Sequence, residues 1–96
     1  MFRSLLLLLF LSFSLLTCLH AQRGSDLAAA TAAFDDGVQH LLDGSPKKAR
    51  RSFSTSVKLD TSFIAARRFL GLSEELLGNF SAAADAYQRV LARDTS

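Results

Sequence analysis

The chain has 96 residues, 49% of them hydrophobic and 21% charged, with a formal net charge of +2 and one cysteine. That length holds one small domain. The near-neutral balance excludes nucleic-acid capture by bulk charge, and the lone cysteine excludes an internal disulfide framework.

The first 21 residues differ from the rest. Arg3 gives a basic start. Residues 5–19 are nearly all apolar, interrupted by Ser12, Ser14, Thr17 and Cys18, and the small Ala21 follows. Basic start, apolar run and small exit residue predict a secretory signal peptide over residues 1–21. The run of about 15 residues falls short of the ~20 that span a bilayer core, which places a retained membrane anchor second. Leu15-Leu16-Thr17-Cys18 resembles a bacterial lipobox, but Thr17 stands where that motif takes Gly or Ala. Cys18 is therefore read as an ordinary apolar signal residue. Cleavage would remove Arg3 and no acid, lowering the formal charge to +1 and leaving no cysteine. The expected location is the periplasm or the medium. Membrane contact is confined to the signal segment, should it stay attached.

Residues 22–29 form a polar lead-in, in which Ser25 or Asp26 suits a helix cap. The alanine-rich run Leu27–Ala33 then favours helix to about Asp43. Phe34, Val38, Leu41 and Leu42 keep the spacing of one helical face. Gly44 ends this helix, because glycine accepts the positive φ of a C-terminus. Ser45 suits an N-cap and Pro46 the first helical position, where a missing N–H costs nothing. A second helix follows over Pro46–Leu59, with Ala49, Phe53, Ser56 and Val57 on one face. Asp60-Thr61-Ser62 breaks it. A third helix is expected over Ser62–Leu77, with Phe69, Leu72, Leu76 and Leu77 apolar. After a Gly78-Asn79 turn, in which Asn79 is a good cap, a fourth covers Phe80–Arg93 with Ala83, Tyr87, Val90 and Leu91 inward. No stretch alternates long enough for a strand, so the fold class is all-α.

The chain also repeats itself. Residues 31–62 laid on 65–96 give 8 identities in 32 positions: Ala32/Ala66, Gly37/Gly71, Leu42/Leu76, Gly44/Gly78, Ala49/Ala83 and the two Asp-Thr-Ser ends. Phe53/Tyr87, Val38/Leu72 and Val57/Leu91 are conservative. A 34-residue period marks stacked units, none of which buries its apolar face alone. Gly37 and Gly71 fall mid-helix, where glycine costs about 0.8–1 kcal/mol against alanine. Close helix approach offsets that cost, with Ala49 and Ala83 as the small residues opposite and Phe53 and Tyr87 as the plugs between units.

Phe34-x-x-Gly37-x-x-x-Leu41-x-x-Gly44, continuing to Ala49 and Phe53, resembles a tetratricopeptide repeat. So does Leu70-Gly71-x6-Gly78-Asn79-Phe80-x-x-Ala83-x-x-x-Tyr87. The likeness covers residues 30–96, repeat one over 30–63 and repeat two over 64–96. The family's early tryptophan position holds Ala33 and Arg67, its first-helix leucine is Asp36 in repeat one, and its terminal proline is Thr61 and Thr95. The resemblance implies helix-turn-helix repeats stacked as a short right-handed α-solenoid of two hairpins. A plain antiparallel four-helix bundle is the alternative.

The resemblance further implies protein or peptide binding along a groove lined by the first helix of each pair. By position that groove shows Thr31, Phe34, Val38, Leu41 and Leu42 in repeat one, and Ala65, Arg68, Leu72, Glu75 and Leu76 in repeat two. The competing reading makes Phe34, Val38, Leu41 and Leu76 core. Arg68 either forks a carboxylate or is solvated. The Lys and Asn set of the family's carboxylate clamps is missing.

Other side chains read as structural. Lys47, Lys48, Arg50 and Arg51 form a basic run, taken as a solvated convex face. Asp35-Asp36 and Glu74-Glu75 are taken as solvent-facing pairs. His40, with Asp36 and Asp43 a turn away on either side, suits a structural hydrogen bond. No nucleophile–base pair, phosphate loop or metal set is legible, so no enzyme, cofactor or metal is expected. Two functional readings remain. One is an exported interaction scaffold of a bacterial envelope, able to self-associate because about three units are usually needed for stability. The other is the N-terminal recruiting segment of a larger envelope enzyme or secretion component.

Overall fold

A computed structural model describes residues 23–94. The signal segment read over residues 1–21 lies outside them, as do Thr95 and Ser96 of the second Asp-Thr-Ser end. The described residues form four helices and no strand: α1 over 23–42, α2 over Pro46–Leu59, α3 over Ile64–Leu76 and α4 over Phe80–Asp94. Consecutive helices pack side by side and reverse direction at each turn, so the chain folds as two hairpins laid against each other. Among the described residues no helix is long and apolar enough to cross a membrane.

The two hairpin turns are built alike. Gly44 and Gly78 have φ of 76° and 80°. The amide of Gly44 donates to the Leu41 carbonyl (3.0 Å) and that of Ser45 to His40 (2.8 Å). Thirty-four residues on, Gly78 donates to Glu75 (2.9 Å) and Asn79 to Glu74 (2.8 Å). This pair of reverse bonds satisfies carbonyls that a helix end leaves open, and only a residue tolerant of positive φ closes it. The turn between hairpins uses a different device. One carboxylate oxygen of Asp60 accepts from the Ser62 amide (3.0 Å) and the Ser62 hydroxyl (2.6 Å), and the Asp60 carbonyl accepts from Phe63 (3.2 Å). Such an Asx turn holds the chain out of helix.

Three boundaries differ from expectation. Helix α1 takes in the polar lead-in from residue 23, since between Arg23 and the alanine run only Gly24 opposes helix. Helix α3 starts at Ile64 rather than Ser62, because the Asx turn consumes Ser62. Ser45 stands at the N-cap of α2, but its hydroxyl makes no capping bond. Its ψ of 73° lies outside the extended conformation that aims a cap side chain at the first turn.

The core follows helical spacing. Ala49, Phe53 and Ser56 are buried on α2, and Ala83, Ala86 and Val90 on α4. Phe53 has no exposed surface, a burial worth about 1.5–3 kcal/mol. Its ring lies over Gly37, where a β-carbon would meet it at 2.5 Å. Tyr87 lies over Gly71 in the same way, at 2.7 Å. The ring therefore occupies the side-chain space of the glycine within its own hairpin. The void at each glycine is filled by the aromatic, and Ala49 and Ala83 are buried four residues earlier on the same helices.

Between the hairpins sits a cluster of four phenylalanines. The Phe34 ring centre is 5.7 Å from Phe53, 5.0 Å from Phe63 and 5.5 Å from Phe69, and Phe53 stacks on Phe69 at 5.5 Å. Offset and edge contacts of this kind add to plain area burial. Two polar links reinforce the packing. The Ser56 hydroxyl donates to the Ala30 carbonyl (2.7 Å), tying α2 to α1. Arg50 faces Glu74 at 3.6 Å, tying α2 to α3.

Candidate partner-binding faces

The residues expected to line the groove fall into two groups. On α3, Arg68, Leu72, Glu75 and Leu76 are all exposed along one side. On α1, Thr31 and Leu42 are exposed, whereas Phe34, Val38 and Leu41 are partly covered, as is Ala65 on α3. Leu42 and Leu76 occupy matched places at the ends of α1 and α3 and keep 76% and 60% of their surface. A leucine held out in water at the same point of two neighbouring helices is an apolar stripe.

Two residues of that set are already engaged. Phe34 belongs to the phenylalanine cluster, so its ring joins the hairpins and is not offered to a ligand. The Thr31 hydroxyl donates back to the Leu27 carbonyl (3.0 Å), a local bond open to any threonine in a helix. Glu75 neighbours Tyr87. Burial first, then the Glu75 carboxylate and a hydrogen bond to it, push the Tyr87 hydroxyl above its ordinary pKa of 10.0.

The residues assigned to repeat packing form one glycine–ring contact in each hairpin, Gly37 with Phe53 and Gly71 with Tyr87. Gly37, Ala49, Phe53, Gly71 and Ala83 are buried, and Tyr87 is half-buried.

Three polar readings need correcting. Glu74 is buried, not solvent-facing, and is matched by Arg50. Arg50 is correspondingly half-buried, while Lys47, Lys48 and Arg51 are exposed. The cause is positional: Arg50 follows the buried Ala49 and reaches along the edge of the α2–α3 seam, where an unpaired carboxylate would be costly. The Asp43 carboxylate accepts from Gln39 Nε2 (3.1 Å) rather than serving His40.

The other side of the molecule carries a cleft that no sequence motif announced. It lies between α2 and α4, is floored by α3, and holds about 320 Å³. Val57 and Lys58 line it from α2, Leu70 and Glu74 from α3, and Ala86 and Arg89 from α4. A neighbouring cleft of about 300 Å³ is lined by Arg67, Arg89, Ala92 and Arg93. Arg89 and Arg93 stand four apart on α4, a spacing that puts them on one face. Only the packing of α3 against α4 adds Arg67 to them. Among the described residues no group of three or more His, Cys, Asp or Glu is arranged to hold a metal.

Comparison of the chain with protein-family models, with curated proteins and with solved structures finds no match in any of the three.

Proposed function

We propose that the protein is an exported scaffold of the tetratricopeptide-repeat type that binds a protein partner along the α1–α3 side. Its setting is a bacterial envelope, reached through the signal segment read over residues 1–21. The observation that carries this reading is the repeated outward leucine. Leu42 and Leu76 sit 34 residues apart, one per hairpin, at the same helix end, with Leu72 one turn before Leu76. Folding alone gives no reason to keep such residues out of the core twice at the same phase. A partner segment laid across both helices would cover them, with Arg68 and Glu75 placed to fix its direction.

The test is a capture experiment from envelope extract with the wild-type chain, a Leu42→Glu/Leu76→Glu double variant and a Lys48→Glu control. The double variant is expected to keep its helical circular dichroism and to lose the protein retained by the wild type and by the control. The form recovered from the envelope is expected to begin at Gln22. Retention of the same protein by the double variant removes the partner face from α1 and α3. A recovered chain that still carries its first residues removes the signal-peptide reading.

A further inference from the structure

The two clefts beyond α3 adjoin, with Arg67 and Arg89 lining both, and together make up a depression on this side of the molecule. Its wider part has an apolar floor that includes Val57, Leu70 and Ala86. Its far end is lined by Arg67, Arg89, Ala92 and Arg93. On the turn of α3, Arg67, Leu70 and Glu74 point nearly opposite to Leu72 and Leu76, so this depression is separate from the proposed partner face.

One of these cations is fixed before any ligand arrives. Nε and Nη2 of Arg67 both donate to the Thr61 carbonyl, at 3.4 and 3.0 Å, which pins the guanidinium to the Asp60–Ser62 turn. That partner is neutral and leaves the Arg67 charge uncompensated. The two acids bordering the depression are already matched: Glu74 faces Arg50 at 3.6 Å, and Asp85 faces Arg89 at 3.4 Å. The Asp85–Arg89 pair is mostly exposed, and such i,i+4 pairs hold weakly. Arg89 is therefore available to exchange its partner. Arg67 and Arg89 line the same clefts, and a planar oxyanion placed between two such cations accepts two parallel hydrogen bonds from a single guanidinium fork.

We propose that this depression binds an apolar carboxylate. The carboxylate lies between Arg67 and Arg89, and the apolar portion lies over Leu70 and Ala86. Both an alkyl carboxylate and the free C-terminus of a peptide ending in an apolar residue have this chemistry.

Amide and arginine Nε–H signals of the full chain, followed by NMR, decide the matter. The probes are sodium octanoate, N-acetylglycyl-leucine, the amide of that dipeptide and inorganic phosphate. At least one carboxylate probe is expected to move the signals of Leu70, Ala86, Arg67 and Arg89. Preference for octanoate identifies an alkyl source and preference for the dipeptide identifies a peptide C-terminus; both uphold the proposal. The dipeptide amide is expected to bind about tenfold more weakly than the acid, the loss that goes with a charge-assisted fork. Arg67→Gln and Arg89→Gln should each cause a similar loss, with helical circular dichroism unchanged, and Arg51→Gln, on the exposed side of α2, should cause none. Should Arg67→Gln unfold the chain, the exposed Arg89 carries the test alone. The proposal fails if neither carboxylate moves these signals, if the amide binds as well as the acid, or if phosphate binds as well as octanoate. It also fails if Arg89→Gln binds like the parent.

Discussion

The two hairpins share a lock but not its surroundings. In each, an aromatic ring of the second helix fills the space of a glycine on the first, Phe53 over Gly37 and Tyr87 over Gly71. In the first hairpin α3 then closes over the ring: Phe69 stacks on Phe53, Phe34 lies against both and is itself stacked on Phe63, and Phe53 is wholly buried. In the second the ring is half-buried, and the nearby Phe80 and Leu91 keep 71% and 61% of their surface. The same sequence position thus carries two energies. A glycine and a ring make the hairpin, and the helix that follows makes the ring expensive to disturb.

The largest expected effect separates the rings themselves. Phe53→Ala leaves a cavity in a site walled by Phe34 and Phe69, at a cost of about 3–5 kcal/mol, the range for buried Phe→Ala. That is a large part of the total stability of a small domain. Tyr87→Ala removes a ring already in partial contact with water and should cost less than half as much. Urea denaturation of the two variants measures the gap. Equal losses would mean that both rings are equally enclosed, which the packing of α3 over Phe53 alone does not allow.

A smaller effect reads the same difference from the glycine side. Gly37→Ala places a β-carbon 2.5 Å from the Phe53 ring, which Phe34 and Phe69 prevent from moving aside. Overpacking of this kind costs about 1–3 kcal/mol, against a helix-propensity gain of about 1 kcal/mol. At Gly71 the added carbon meets Tyr87 at 2.7 Å, and that ring is only half-buried, so less packing opposes its shift. Gly71→Ala should therefore melt close to the parent and Gly37→Ala below it. The reverse order would show that the Phe53 ring is the more mobile of the two.

The 34-residue echo made the four helices legible. Gly44 and Gly78 end helices because positive φ is a demand of local geometry, and local demands are visible in sequence. The pairing of Gly37 with Phe53 was legible as a small residue beside a large one, though not that the ring fills the space of the glycine directly. What stayed hidden depends on which chain segments meet. Phe63 sits in a turn, and nothing in its neighbours says that it stacks on Phe34. Glu74 follows Ser73 in a polar run, and its burial exists only because α2 brings Arg50 to it. Arg67 belongs with Arg89 through the contact of α3 with α4, a separation no helical period spans. Thr31 looked available to a ligand because sequence does not show when a hydroxyl bonds to its own helix.

The mildest probe of the comparison uses the only tyrosine in the chain. Burial first, and the Glu75 carboxylate second, favour the neutral phenol of Tyr87 in the fold, so its folded pKa lies above the unfolded value near 10. The folded state then holds this proton more tightly than the unfolded chain does. The associated stability is complete below pH 10 and is lost as pH rises through the folded pKa. Phe53 has no such group, so this loss belongs to the second hairpin. Ultraviolet titration of phenolate is expected to give a midpoint above 10 in buffer, falling to about 10 in denaturing urea. Glu75→Gln should lower the folded midpoint without bringing it fully to the unfolded value, because burial remains. Tyr87→Phe should melt with a flatter pH dependence between pH 9 and 11 than the parent. A folded midpoint at or below 10 would mean that the Tyr87 hydroxyl is fully solvated and that the second ring is held by the glycine contact alone.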